Sequence, residues 1–328
     1  MKRIAINGMG RIGRTSLKII LDTPGLELVA VNDIAPIENI AYLLKYDSVH
    51  GTLEKDIEAK EGELFIDGKP LLFLNEKDPE KLPWKELGVD VVIESTGIFT
   101  NEDDAAKHVK AGAKTVVLSG PTKSPNIPTV VHGVNTEDGK ASIFSCASCT
   151  TNNISPVMEI LGRRIGIKKA IMTTIHADTA SNKTVDSPAK DFRMGRSGLN
   201  NLIPTTTGAA IATGKALPQF VGKFDGLSVR VPVAVGSISD ITIVTERPTS
   251  AEEVNEILAQ EAATERYKKV FAVSKDPLVS SDIIKSPYAS IADLPMTKVV
   301  DGDLLKVLTW YDNEWGFTNQ MIRQILGL

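Results

Sequence analysis

Through residues 1–150, short apolar runs alternate with segments whose apolar positions recur at helical spacing. Residues 2–7 (KRIAIN) and 26–32 (LELVAVN) read as strands, and 11–22 reads as a helix with Ile12, Ser16, Ile19 and Ile20 on one side. The segment 89–95 (VDVVIES) is apolar without alternation, as expected of a parallel strand buried on both faces. A polar helix over 101–111 and a strand over 114–119 follow. This rhythm predicts an open parallel sheet covered by helices.

The pattern changes near residue 149. One helix is predicted over 150–165, after which long strand-like runs dominate, at 167–175, 224–233, 237–246 and 304–311. Fewer helices separate them, so a larger, mostly antiparallel sheet in an α+β domain is expected. The final segment, GFTNQMIRQILGL, is an amphipathic helix with Met321, Ile322, Ile325 and Leu326 on one face.

Composition adds bounds rather than a function. A chain of 328 residues exceeds one typical domain of roughly 150. Hydrophobic residues make up 42% and the net charge is −4, which supplies a large core and gives no reason to expect a nucleic-acid or membrane partner. No apolar window reaches the ~18 residues of a membrane span, and the opening MKRIAINGMG enters a strand without a leader-like stretch. With only Cys146 and Cys149, disulfides do not frame the fold, and a cytoplasmic location is expected. No metal site is expected.

Gly8-Met-Gly10-Arg-Ile-Gly13 fits G-x-G-x-x-G, a weak signal alone. Here it follows a strand and opens a helix, which is the context of a Rossmann-type dinucleotide site. Gly8 would make the tight turn, Gly10 would admit a pyrophosphate, and Gly13 would let helix and strand pack closely. The helix start offers unpaired N–H donors to phosphate. Asp33 ends the second strand twenty positions after Gly13. Its carboxylate can accept from both ribose hydroxyls and would repel a 2′-phosphate, so NAD is the expected cofactor.

Ser145-Cys-Ala-Ser-Cys149-Thr-Thr-Asn-Asn153 lies where a strand-like run ends and a helix begins. The dipole at a helix start would lower the Cys149 thiol from ~8.5. A lone cysteine is otherwise a small buried hydrophobe. His176 changes the weighting, because it ends the strand run after the Cys149 helix and can return to the thiol at one sheet edge. A thiol with a neighbouring base is an activated nucleophile.

SCASCTTNNISP followed by TTIHADT resembles the active-site region of phosphorylating glyceraldehyde-3-phosphate dehydrogenases, as do INGMGRIGR, VAVND, LLKYDSVHG, IPTTTGAA, GKFDGLSVRVP and WYDNEWGFTN, in the family's order. The resemblance implies Cys149 as nucleophile and His176 as base. Arg11, Ile12, Asp33, Thr96, Ser119 and Asn313 fall on NAD-contacting positions. Ser148, Thr150, Thr207 and Gly208 match one phosphate site, Thr179 and Arg230 the other, with Arg196 near both. It implies an NAD-binding domain over 1–148, joined by the C-terminal helix 313–328, and a catalytic domain over 149–312. It also implies a homotetramer acting on glyceraldehyde 3-phosphate and inorganic phosphate. As a bare pattern, Thr205–Gly208 reads equally as a hydroxyl-rich loop before a helix.

The chain departs from the family at several places. Asn153 stands where many relatives have a second cysteine, and Cys146 stands three residues before the nucleophile, where asparagine is usual. Cys146 is either a small packing residue or the partner in a reversible Cys146–Cys149 disulfide. Ile211 replaces a usual lysine, and VPVAVGS a VPTPN-like run. Lys77 stands where an arginine often lies against the adenine side, and Ser187-Pro188 is intermediate, because some NADP-using relatives carry a small residue and then Ser there, while Pro188 with Asp33 still favours NAD. The competing readings are erythrose-4-phosphate dehydrogenase, with water in place of phosphate, and a catalytically silent NAD-binding protein, which would not be expected to keep the Cys149–His176 pair.

Overall fold

The computed structural model describes residues 1–136 and 141–328. The chain divides into two compact units, one of Met1–Val130, Thr136–Ala147 and Met321–Leu328, the other of Val131–Asn135 and Ser148–Gln320. Among the described residues, no helix is long and apolar enough to cross a membrane.

The first unit is built on strands β1 (Lys2–Asn7), β2 (Leu26–Asn32), β3 (Ile57–Lys60), β4 (Glu63–Ile66), β5 (Lys69–Leu74), β6 (Val91–Glu94), β7 (Thr115–Leu118) and β8 (Ile143–Ser145). They form one sheet in the order β3-β4-β5-β2-β1-β6-β7-β8. The six strands from β5 to β8 run parallel, and β3 and β4 join antiparallel at one edge. All four residues of β6 are buried, which explains why 89–95 shows no alternation. Helices α1 (Arg11–Leu21), α2 (Ile37–Lys45) and α3 (Glu102–Lys110) accompany the sheet. The sequence pattern misses α2 and the strands β3–β5, which span only four to six residues each.

The second unit holds strands β9 (Ile167–Ala177), β10 (Ile203–Thr206), β11 (Phe224–Val231), β12 (Ser237–Thr245), β13 (Phe271–Ser274), β14 (Ser290–Asp293), β15 (Lys298–Val300) and β16 (Leu304–Tyr311). Seven form the path β10-β11-β9-β12-β16-β14-β13, and β15 pairs with β16. The sheet is mostly antiparallel, with β9–β11 and β13–β14 parallel. Helix α4 (Cys149–Arg164) packs through Ile154, Val157, Met158 and Leu161 into a core shared with Ile241, Ile243, Leu305 and Val307 of the sheet and with α6 (Ala251–Ala262). Helix α5 (Ala209–Ala216) also packs on α4, while α6 escapes the sequence reading. In the last helix, α7 (Trp315–Gly327), Met321, Ile322 and Ile325 are buried, but Leu326 lies 40% exposed, off the expected apolar face.

A buried charge cluster braces α1. The Asp47 carboxylate accepts from the N–H groups of Val49 (3.0 Å) and His50 (2.9 Å) and from Arg11 Nη1 (2.8 Å), with Lys18 Nζ at 3.4 Å. Burial is the largest single influence and pushes its pKa up, yet the backbone donors and Arg11 together hold it well below the usual range. Removing the charge leaves Lys18, whose side chain is only 5% exposed, without its counter-ion. Asp47→Asn is expected to cost about 3 kcal/mol, read as a lower urea midpoint at neutral pH.

Candidate active site

The chain turns from β8 into α4 over three residues. Cys146 N donates to Leu118 O at 3.0 Å, and the Ser145 hydroxyl donates to Gly120 O while accepting from Ala147 N. Ala147 takes a φ of 59°, a left-handed conformation that costs an alanine roughly 1–2 kcal/mol. Ser148 then caps α4, its Oγ accepting from Thr151 N at 3.1 Å. Cys149 is thereby the first helical residue. Asn153, on the same helix, accepts from the Thr309 hydroxyl at 2.8 Å and donates to Ser290 and Trp310, which ties α4 to β14 and β16.

Cys149 Sγ lies 3.4 Å from His176 Nε2. His176 sits near the end of β9, directly across the parallel register from Arg230 on β11. Its Nδ1 is 2.7 Å from Ala177 O and 2.6 Å from Arg230 Nη1, which also donates to Ala177 O at 3.1 Å. A guanidinium only donates and a carbonyl only accepts, so the two Nδ1 contacts call for opposite tautomers. The His176 ring meets Tyr311 edge-on at 5.9 Å. The Tyr311 hydroxyl bridges Thr150 (3.0 Å) and Thr174 (2.8 Å).

Burial governs the charges here. It pushes the Cys149 thiol up to about 11, against the pull of Arg230 and of the Thr150 hydroxyl and N–H. The helix start alone predicts a lowered thiol, and desolvation reverses that direction. Burial and then Arg230 take His176 down to about 4. Each group alone therefore favours its neutral form. Moving the proton from Sγ to Nε2 creates opposite charges side by side, whose attraction offsets part of the desolvation either charge meets alone. Cys146 is a reduced thiol, 2% exposed, and burial pushes it up as well, the setting of a packing residue.

The other phosphate-site candidates in this unit lie between helices and strands. Thr179 Oγ1 pairs with the Ser181 hydroxyl at 2.8 Å, Thr207 Oγ1 accepts from Ala209 N, and Gly208 precedes α5. Arg196 is bound to Asp186 at 2.7 Å, a pair more than half exposed. Asn313 Oδ1 accepts from Gly236 N and the Ser237 hydroxyl, which turns its amide N–H groups the other way. The sequence gives only a weak sign of Tyr311, Thr174 and Ser237. Their signal is a hydroxyl on the buried face of an alternating strand, as in β16, where Leu305, Val307, Thr309 and Tyr311 point inward.

In the first unit, a cavity of about 450 Å³ is lined by Asn7, Gly8, Gly10, Asn32, Asp33, Lys77 and Thr96, among others. The glycine turn is built for closeness. Gly8 has a φ of +94°, and a Cβ on Gly13 would stand 1.9 Å from Gly8 O. Beyond Gly10 the space is open, as a pyrophosphate at the α1 start requires. Asp33 accepts from Met9 N (2.6 Å) and Ala35 N (2.8 Å), which fixes its carboxylate at the cavity wall. These residues fit a dinucleotide. Arg11 is paired with Asp47, while Ile12 and Ser119 lie outside the lining.

His176→Asn removes the proton acceptor beside Sγ. The pH midpoint of Cys149 alkylation by iodoacetamide should rise by about one unit or more, with about a tenfold slower rate at pH 7. An unchanged profile would mean that the thiol ionises without the imidazole.

Comparison with known proteins gives the same direction throughout the chain. The family described as "Glyceraldehyde 3-phosphate dehydrogenase, NAD binding domain" matches residues 2–102, and "Glyceraldehyde 3-phosphate dehydrogenase, C-terminal domain" matches 148–313. The glyceraldehyde-3-phosphate dehydrogenase of Thermotoga maritima is 46% identical over 98% of this chain and 97% of its own length. That of Clostridium pasteurianum is 44% identical over 99% and 98%, and that of Geobacillus stearothermophilus 44% over 98% and 96%. The chain belongs to the glyceraldehyde-3-phosphate dehydrogenase family of NAD-dependent oxidoreductases.

Proposed function

We propose that the chain oxidises glyceraldehyde 3-phosphate to 1,3-bisphosphoglycerate with NAD and inorganic phosphate, through a covalent intermediate on Cys149. The observation that carries this reading is the thiol at a helix start 3.4 Å from His176 Nε2, with Arg230 beside the imidazole. An aldehyde releases hydride readily only once it is tetrahedral. Attack by Sγ on the carbonyl carbon makes that centre, a hemithioacetal, and His176 Nε2 takes the proton. The Cys149 N–H and the imidazole share the developing oxyanion, each such donor contributing about 3 kcal/mol. Bound NAD supplies the hydride acceptor. The thioester left on Sγ is then opened by phosphate, which forms the acyl phosphate and returns the thiol.

His176 acts as a base at Nε2 only with its other proton on Nδ1, donated to Ala177 O. That tautomer requires Arg230 to draw back from the ring, and an anion engaging the guanidinium would draw it back. Thr179 and Arg230 are assigned to one phosphate and Ser148, Thr150, Thr207 and Gly208 to the other, with Arg196 near both. NAD is assigned to Gly8, Gly10, Arg11, Ile12, Gly13, Asp33, Lys77, Thr96, Ser119 and Asn313. In this reading residues 1–148 with the helix 313–328 bind NAD, and 149–312 carry the chemistry. A homotetramer is supported by the large apolar side chains left exposed on the second unit, including Phe192 at 89%, Ile211 at 73% and Leu202 at 71%. A cytoplasmic location suits two reduced thiols.

NADH formation from glyceraldehyde 3-phosphate should depend on added phosphate and vanish in Cys149→Ser. Turnover of equal rate without phosphate would refute the acyl-phosphate step. Sedimentation should give four times the chain mass, and a stable monomer would refute the assembly.

A further inference from the structure

At the carboxyl edge of the first sheet, three neighbouring strands end in buried polar residues that share one register. Asn7 of β1 lies opposite Asn32 of β2 on one side and Glu94 of β6 on the other. All three are at most 3% exposed. Behind Glu94 stand His108 of α3 and Trp84, both fully buried.

Groups that can only donate, the Glu76 N–H and the Trp84 indole, set the directions from the two ends, and Asn7 Nδ2 and His108 Nε2, 3.4 Å apart, are then both donors converging on Glu94. At one end, Glu76 N donates to Asn32 Oδ1 (2.9 Å) and Asn32 Nδ2 donates to Glu76 O (2.9 Å), so backbone fixes the Asn32 amide. Asn32 Nδ2 also donates to Asn7 Oδ1 at 2.7 Å, which leaves Asn7 Nδ2 to donate to Glu94 Oε2 at 2.6 Å. At the other end, the Trp84 indole only donates, and it donates to His108 Nδ1 at 3.0 Å. His108 is therefore a neutral imidazole with its proton on Nε2, donated to Glu94 Oε2 at 3.0 Å. Thr96 closes the set. Its N–H donates to Glu94 Oε1 at 2.8 Å, and its hydroxyl, which accepts from Ile98 N, donates to the same oxygen. Four donors thus meet a carboxylate that can accept about four bonds.

We propose that Glu94 is a positioning residue for the cofactor, a buried anion that orients the polar wall of the nucleotide cavity through Asn7, Asn32 and Thr96. Those three residues and Glu76 line the cavity, whereas Glu94, His108 and Trp84 do not. The anion cannot be exchanged for an amide, because any rotation of the amide sets its NH2 against donors. Asn7 cannot turn to relieve the conflict, since Asn32 holds its other end and the Glu76 backbone holds Asn32. The inference rests on the assignment of this cavity to NAD.

Glu94→Gln keeps the side-chain volume and tests the idea. Calorimetric titration of the folded variant should show the Kd for NAD raised at least about tenfold, with the steady-state loss falling on KM for NAD rather than on KM for the aldehyde. His108→Leu acts from behind the wall and provides a second test should Glu94→Gln fail to fold. It removes one donor to Glu94 and should raise the Kd several-fold, while His108→Gln, which keeps a donor, should restore most of the affinity. An unchanged Kd in folded Glu94→Gln or in His108→Leu would overturn the proposal, as would equal losses in His108→Leu and His108→Gln, because packing alone would then account for them. A wild-type chain that binds no NAD would refute the cavity assignment instead.

Discussion

Parallel pairing in register is the constraint on which both candidate sites rest. Parallel strands all end at the same edge, so the residues that close neighbouring strands are brought side by side. In the first unit this aligns Asn32, Asn7 and Glu94 beneath the glycine turn. In the second unit the parallel pair β9–β11, set within an otherwise mostly antiparallel sheet, puts Arg230 opposite His176. A shift of one residue would turn each of these side chains to the other face. The chemistry is therefore positioned by backbone hydrogen bonds, and the side chains add direction.

Asp47, Glu94, Cys149 and His176 fall into two kinds. Asp47 and Glu94 are surrounded by donors, and each is fixed as an anion by bonds that replace water. Cys149 and His176 are left short of such compensation. Burial opposes the thiolate and the imidazolium taken singly, and Arg230 favours the first charge while opposing the second. A nucleophile needs this latitude, because its charge must appear and disappear within a turnover, whereas a positioning anion must hold its charge throughout.

The alternating architecture of residues 1–119, the glycine turn, Asp33 and the paired signals of Cys149 and His176 are legible in the chain before it folds. These are local properties: hydrophobic period, three glycines at fixed spacing, a cap residue before a helix. The sequence also carried the family resemblance, because several motifs in order are specific together. It did not yield α2 or α6, nor the short strands β3–β5, which span only four to six residues each.

The charge balance at Cys149 and the hydrogen-bond directions around Glu94 arise on folding. The local helix start predicts a lowered Cys149 thiol, whereas desolvation comes from everything packed around it, and this reverses the shift. Glu94 reads as the polar end of an apolar strand, and His108 as one residue of a polar helix. Their roles as acceptor and neutral donor follow from Trp84, which lies ten residues before Glu94, and from the backbone of Glu76, far along the chain from Asn7. Hydrophobic periodicity places residues on faces, but hydrogen-bond direction depends on which groups meet, and folding alone brings these together.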